Sequence, residues 1–347
     1  MRVFLISLMS VVFAPAMGWA AGDQVGTLAQ VEGDVKIFSH PGKAIQGPAP
    51  HALYEGEYFS VNEAHPGDRV EQGNIVRTSP GSKARVLYDN GDQLTLSGGS
   101  AYRVKWSKDG SGADAKPDLN LMYGKVRAMV AKGGPRSKLT VRTRSATMGV
   151  RGTDFFVADG GAGPNAGTEI SVIRGEVAVQ GPEQKAKSIP VKAGFSAEVP
   201  PPAPIAPKAE KAVEKKGSGV EAPAQIPEPV IALRQTTQQA LSAIQKSSEV
   251  KVAIADEVKK DDKLAVQLAT LEKKAVEATM TDIKKEDPKL FAQLQANPTM
   301  SAVEIQGRAV EVIKKEAPMA PARGKPSRSE LENLENGVYE QYFKSVE

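Results

Sequence analysis

The sequence predicts an all-β N-terminal domain followed by a Pro/Ala-rich linker and an α-helical C-terminal region. Short runs in which apolar and polar residues alternate fill the first part of the chain, and the hydrophobic period changes from 2 to 3.6 after about residue 229. Between Pro200 and Gly337 the only aromatic residue is Phe291. Because large side chains dominate core energetics, the well-packed domain should precede residue 200.

The first 20 residues have the pattern of a cleavable secretory signal peptide. Met1-Arg2 is followed by an apolar run to Met17, and small residues at Gly18 and Ala20 favour cleavage after Ala20. The alternative is an N-terminal membrane helix, which would need about 20 apolar residues. We expect an exported protein, periplasmic or secreted, with no membrane span in the mature chain.

Residues 24–199 are predicted to form the β domain, as an antiparallel roll, a sandwich or a short solenoid. Asp89-Asn90-Gly91-Asp92 lies between two strand-like runs and predicts a tight hairpin, because Asn-Gly tolerates positive φ. The runs that predict strands include 34–38, 84–88, 93–96, 102–106, 138–143, 155–157 and 169–173.

Residues 200–229 are rich in Pro, Ala, Lys and Glu. They predict a linker, since such a segment cannot bury enough apolar surface to fold. Residues 317–328 predict a second linker, and residues 329–347 predict a terminal amphipathic helix.

Residues 230–316 are predicted to be helical. One helix is expected from about residue 229 into the 240s and another over 262–286. Asp287-Pro288 predicts the start of a short third helix, and Ser301 with Glu304 has the spacing of a capping box that opens a fourth.

The stripes of these Lys- and Glu-rich helices are dominated by Ala and Val. One interpretation is a weakly packed hairpin or a solvated helix. The other is a coiled coil or an arm that binds a partner. The terminal helix differs, because Tyr339, Tyr342 and Phe343 return after a long stretch nearly free of aromatics. We expect it to dock, either onto the β domain or onto a partner.

Composition argues against an enzyme. The absence of cysteine excludes disulfides, thiolate zinc sites and a thiol nucleophile. His40, His51 and His65 lie in loops beside proline or glycine, at spacings that match no metal motif. We therefore expect no catalytic activity, no cofactor and no metal site.

Eight cations and no acid lie between Lys125 and Arg151. On a predicted strand, Lys138, Arg142 and Arg144 share one face because side chains alternate. This face is either simply solvated or a binding face for a protein or an anionic envelope component. Export argues against nucleic acid as the partner.

Strand 139–143 is followed by a small-residue turn and then by Val150-Arg151-Gly152-Thr153 and Phe155-Phe156-Val157. With the Asp-Asn-Gly-Asp hairpin and Gly175-Glu176-Val177, this pattern resembles the FecR domain, an all-β module of bacterial envelope proteins, from about Val25 to Val199. Arg144 stands where proline is usual, and residues 41–66 look like an insertion.

The resemblance implies an all-β fold, an envelope location and contact with a partner. Family members best known for signalling carry a sigma-factor-binding segment and a membrane helix before this domain, whereas here a predicted signal peptide stands there. The turn Val150, Arg151, Gly152, Thr153 has two interpretations. In the first, Gly152 permits positive φ and Arg151 binds adjacent groups, so that the turn holds two strands together. In the second, the turn binds a ligand directly.

These patterns predict an exported, non-enzymatic envelope protein whose FecR-like domain binds or scaffolds a partner, with envelope signalling as one context. The alternative is a carbohydrate- or peptidoglycan-binding module, in which Tyr54, Tyr58 and Trp106 would stack on sugars.

Overall fold

The computed structural model describes most of the two predicted regions. The described residues are 24–45, 47–48, 50–107, 116–132, 139–161, 167–182, 188–202, 231–250, 258, 260–297 and 299–319. The predicted signal peptide, nearly all of the 200–229 linker and the helix predicted over 329–347 lie outside these residues.

The described residues form 18 strands. They are β1 (Gln24–Glu32), β2 (Val35–Gly42), β3 (His51–Tyr54), β4 (Glu57–Glu63), β5 (Arg69–Glu71), β6 (Ile75–Thr78), β7 (Lys83–Leu87), β8 (Gln93–Leu96), β9 (Ser100–Ser107), β10 (Lys116–Met129), β11 (Leu139–Arg142), β12 (Thr147–Val150), β13 (Asp154–Asp159), β14 (Thr168–Arg174), β15 (Glu176–Gln180), β16 (Ile189–Lys192), β17 (Phe195–Val199) and β18 (Ala232–Gln235).

The strands pair into two sheets that share β10. Sheet A has the order β5-β1-β7-β8-β10-β13-β14-β17-β18, and sheet B has the order β3-β4-β2-β6-β9-β10-β11-β12-β15-β16. Only β10 and β11 pair in parallel among the described strands. The predicted all-β antiparallel domain is confirmed, with two stacked sheets.

Strand β10 passes from sheet B to sheet A at Gly124, which has a φ of +90°. Before this glycine β10 pairs with β9 and β11, and after it with β8 and β13. A Cβ at Gly124 would lie 2.5 Å from the Gly99 carbonyl oxygen, so both the conformation and the space require glycine.

The core lies between the two sheets. Val86, Leu94 and Phe155 from sheet A meet Val76 and Val141 from sheet B in one buried cluster. Burying a side chain of this size contributes about 1.5–3 kcal/mol relative to leaving it exposed. Their polar neighbours along each strand point to the outer faces, because strand side chains alternate.

Four helices follow among the described residues: α1 (Gln238–Ser248), α2 (Asp262–Glu286), α3 (Pro288–Gln295) and α4 (Ala302–Glu316). The predicted 262–286 helix is confirmed. Asp287 accepts a hydrogen bond from the Leu290 amide at the start of α3, and Ser301 forms a capping box with Glu304 at the start of α4, as the sequence predicts.

The helix predicted from residue 229 is wrong over its first part. Ala232–Gln235 forms β18, which pairs antiparallel with β17. The helix begins only at Gln238, because Thr237 is its N-cap and accepts a hydrogen bond from the Ala240 amide. Pairing with a strand about 35 residues earlier is a tertiary effect that local periodicity does not report.

The helices pack on the outer face of sheet A. Leu241, Ile244 and Val310 form a buried cluster with Phe156 and Ile173 of the sheet. A second cluster joins helical Leu271, Ala275 and Ala302 to the strand residue Leu87. The helical region and the β domain therefore form one folded body. The sequence predicts instead a weakly packed hairpin or solvated helix, or a coiled-coil or partner-binding arm. No described helix is both long enough and apolar enough to cross a membrane.

Candidate functional site

The Val150–Thr153 turn connects β12 to β13 and is held by backbone and hydroxyl hydrogen bonds. Thr153 is fully buried, and its Oγ1 donates to the Glu176 carbonyl oxygen at 3.1 Å. The amides and carbonyls of Thr153 and Val130 exchange two hydrogen bonds of 3.0 Å. These bonds tie the turn to the end of β10 and to the start of β15.

Two glycines allow close packing at this turn. Gly152 has a φ of +62°, and a Cβ there would lie 2.8 Å from the Lys132 Cα. A Cβ at Gly175 would lie 2.7 Å from the Gly152 carbonyl oxygen. The Gly152 and Gly175 turns thus lie against each other, where a side chain would not fit.

Arg151 does not lock the strands. Its side chain is exposed and has no hydrogen-bond partner among the residues that the structure describes. The locking is done by Thr153 and by the backbone, so the expected role of the guanidinium in tying adjacent groups is corrected. Arg151 instead lines a cleft.

This cleft of about 970 Å³ separates the end of the sandwich from α2, α3 and α4. One wall carries Arg151, Arg174 and Phe195, and the other carries Glu286, Leu290 and Ile313. Arg174 is 8% exposed and its Nη1 lies 3.3 Å from a Glu286 carboxylate oxygen. Its Nε is buried and has no hydrogen-bond partner within the described part of the chain.

A buried polar seam joins sheet A to the helices. Arg127 on β10 forms a two-pronged ion pair with Asp154 on β13, at 3.0 and 2.8 Å. The two side chains are 4% and 0% exposed. Arg127 also donates to Ser248 Oγ in α1 at 3.4 Å and to the Gln306 carbonyl in α4 at 3.3 Å.

The seam continues at Arg85 on β7, whose side chain is fully buried. Its Nη1 donates to Glu272 Oε2 in α2 at 2.7 Å, and Glu272 Oε1 accepts from the Ala302 amide at the start of α4 at 2.9 Å. Gln93 on β8 accepts from Arg85 Nη2 and from Gln306 Nε2. One connected network therefore fixes α2 and α4 on the sheet.

The seam is not evident from the sequence. Arg85, Gln93 and Arg127 alternate with core residues, which is also the pattern of a solvated strand face. Their helical partners lie more than 120 residues away along the chain.

Comparison with known families identifies the central part of the sandwich. The model of the FecR protein family matches residues 74–178, which include the Val150–Thr153 turn, the Asn90-Gly91 hairpin and the Gly175 turn. The chain contains a FecR domain. The match supports a role related to envelope signalling and a regulatory class of protein.

Two crystal structures of a putative anti-sigma factor from Parabacteroides distasonis ATCC 8503, at 1.65 and 2.50 Å resolution, resemble this chain with a TM-score of 0.32 and 16% identity. The alignment covers 46% of this chain and 59% of the length of theirs. A search of curated proteins gave no match.

The FecR domain has one sheet face that the described helices do not cover. On β11, β12, β15 and β16 of sheet B, the outward side chains are exposed or half-exposed. We call this surface the open face; it comprises Thr140, Arg142, Thr147, Gly149, Ala178, Gln180 and Lys192. The other half of sheet B is covered by the β3–β4 hairpin, where Phe59 packs on Phe38 and Ile75.

The predicted basic face is only partly present. Lys138 lies outside the described residues. Arg142 ends β11 on the open face, and its Nε donates to Asp118 Oδ2 at 2.8 Å. Arg144 does not share that face, because the strand ends at Arg142 and Arg144 lies in the following turn, donating to the Gly161 carbonyl at 2.7 Å.

Asp159, at the end of β13, is a buried carboxylate of the FecR domain. It accepts hydrogen bonds of 2.8 Å from Thr168 Oγ1 and from the Gly161 amide. Burial nevertheless raises the pKa of Asp159 above its usual value, and the hydrogen bonds from Thr168 and Gly161 and the positive charge of Arg144 offset only part of this effect.

The remaining predicted residues do not assemble into a site in the described structure. Tyr54 and Tyr58 are half-buried, and Tyr54 packs on the cluster around Phe59. The side chain of Trp106 and the terminal residues Tyr339, Tyr342 and Phe343 lie outside the described residues. Within the described ranges, no group of three or more His, Asp or Glu residues has the geometry of a metal site.

Proposed function

We propose that this protein is exported to the cell envelope and acts there without catalysis, its FecR domain binding a protein partner through the open face. The observation that carries the proposal is the asymmetry of the sandwich. Sheet A is occupied by the chain's own helices, whereas four strands of sheet B present their outer side chains to solvent.

The open face has features that suit a protein partner. Thr140, Thr147, Gly149 and Ala178 are small, so a partner backbone can approach closely over a flat area. Arg142 has a side-chain exposure of 54% and supplies a planar guanidinium, a group that is enriched at protein interfaces. Strands β11, β12 and most of β15 lie within the family match.

Export and the partner's chemistry are supported by the sequence. The first 20 residues have the signal-peptide pattern, and residues 21–200 carry 22 basic and 19 acidic residues. A partner with an acidic patch would therefore meet a complementary field and a fork-shaped donor at Arg142.

The test places a photo-reactive phenylalanine at Ala178 in the full-length chain, in its native envelope. The matched control carries the same group at Val266, which is 66% exposed on α2. We expect a covalent protein adduct at position 178 and none at 266, and we expect the adduct to be lost when Arg142→Glu is added.

Two results would overturn the proposal. Identical adducts from positions 178 and 266, or no protein adduct from 178, would mean that the open face is not a partner site. An adduct removed by a peptidoglycan hydrolase but resistant to protease would favour the carbohydrate-binding alternative.

A further inference from the structure

The cleft between the FecR domain and the helices lies where the described chain leaves the helical region. Ala317 lines the cleft directly after α4. Its carbonyl accepts a hydrogen bond from Gln238 Nε2 at 3.0 Å, and the Pro318 carbonyl accepts one from the Gln238 amide at 3.1 Å. The exit of the chain is therefore pinned beside the cleft, and Met319 is 80% exposed there.

The cleft has an apolar surface that is incompletely covered. Phe195 is 44% exposed, and Val312 and Ile313 on α4 are only partly buried. Leu290 and Ala309 complete this part of the lining. An exposed aromatic ring beside aliphatic side chains in a concave surface is typical of a binding site rather than of ordinary protein surface.

The same cleft has cations that lack full partners. Arg151 is exposed without a hydrogen-bond partner among the described residues, and the buried Nε of Arg174 has no acceptor. Lys132 and Arg174 share a single carboxylate, that of Glu286, at 3.8 and 3.3 Å. Three further acids line the cleft: Glu176 and Glu316, which are exposed to water, and Asp287, whose Oδ1 accepts a hydrogen bond from the Leu290 amide at 2.9 Å.

The segment 329–347 has the complementary chemistry. It carries five glutamates and one lysine. If it is helical, Leu331, Leu334, Val338 and Tyr342 fall on one side at spacings of three and four residues, and the helix is about 28 Å long. The narrow apolar stripe matches the apolar part of the cleft, and its acidic border could face the Arg151 guanidinium, which is unpaired within the described ranges.

We propose that segment 329–347 docks as an amphipathic helix into this cleft, with its acidic side toward Arg151 and Arg174. The nine residues 320–328 between the pinned exit and the segment span at most about 30 Å, so the cleft is within reach. A tether this short gives an effective concentration in the millimolar range, and docking therefore needs only modest affinity.

The test measures the distance between two nitroxide labels in the full-length chain. Because the chain has no cysteine, Glu176→Cys at the cleft and Asn333→Cys on the polar side of the segment give two unique attachment sites. We expect a single narrow distance distribution. Adding Leu334→Asp should broaden it, whereas Asn336→Asp, which adds the same charge on the opposite side, should leave it narrow.

A separate variant tests the attraction between the acidic segment and Arg151. Arg151→Glu, at an exposed side chain outside the core, should broaden the distribution without unfolding the sandwich. A broad distribution in the parent chain, or no effect of Leu334→Asp, would overturn the proposal. So would loss of the short distance on dilution with excess unlabelled chain, because the segment would then dock on a second copy. No envelope partner is needed, so the result is independent of the proposed partner.

Discussion

The outer faces of sheet A and sheet B have similar sequence patterns and opposite surroundings. Arg127 on sheet A is 4% exposed and paired with a fully buried Asp154, whereas Arg142 on sheet B is 54% exposed and paired with Asp118. Both arginines alternate with core residues along their strands. Alternation along a strand therefore identifies an outward side chain, but it does not indicate whether water or another part of the chain covers that side chain.

The two ion pairs should differ most in how much stability is lost when the arginine is removed. Arg127→Ala should lower the free energy of unfolding by about 3–5 kcal/mol, because it leaves the buried Asp154 carboxylate without its counter-charge. Arg142→Ala should cost less, about 1 kcal/mol, because the Arg142 side chain is 54% exposed, although its partner Asp118 is only 14% exposed. Urea unfolding of both variants measures the difference, and equal losses would contradict the contrast between the faces.

The two regions also differ in how well they could be predicted. The strands around Asn90-Gly91, the 262–286 helix and the caps at Asp287 and Ser301 depend on residues within a few positions of each other, so local patterns indicate them. Strand β18 depends on pairing with β17 across the linker. The sequence around residue 232 therefore looked helical.

The same distinction applies to the candidate site. The Val150–Thr153 turn could be located because Gly152 supplies the positive φ within the turn itself, although the hydrogen bonds of Thr153 reach distant residues. The exposed position of Arg151, the turn that separates Arg144 from Arg142, and the seam between Arg127 and Gln306 all depend on where distant elements meet. The pattern of residues within a few positions of each other does not indicate such long-range contacts.

A smaller effect is expected at the turn, where two glycines of similar sequence context differ in conformation. Gly152→Ala should destabilise the protein by about 1–2 kcal/mol from the left-handed backbone alone, with a further cost from the contact with Lys132. Gly149→Ala should be nearly neutral, because a Cβ there meets its nearest atom, the Ala178 Cβ, only at 3.9 Å. Thermal melting of the two variants provides the comparison. Equal shifts would remove the structural argument for Gly152.

The smallest effect is a pH dependence at Asp159. Because burial raises its folded-state pKa, the stabilising contribution is complete below the unfolded pKa and is lost as pH rises through the folded pKa. Asp159→Asn removes this loss. The variant should gain stability relative to the parent as pH rises from about 4 to 7, measured by urea unfolding at each pH. A difference that does not change with pH would mean that Asp159 titrates normally.

Thiol labelling distinguishes the outer face of sheet A, which the helices cover, from the part of sheet B that stays open. In this cysteine-free chain, Thr95→Cys places one thiol on sheet A, where Thr95 is 2% exposed, and Thr140→Cys places one on the open face. We expect the thiol at position 95 to react at least about 100-fold more slowly than the thiol at position 140 under native conditions, because it becomes accessible only on local opening. Similar labelling rates at the two positions would contradict it.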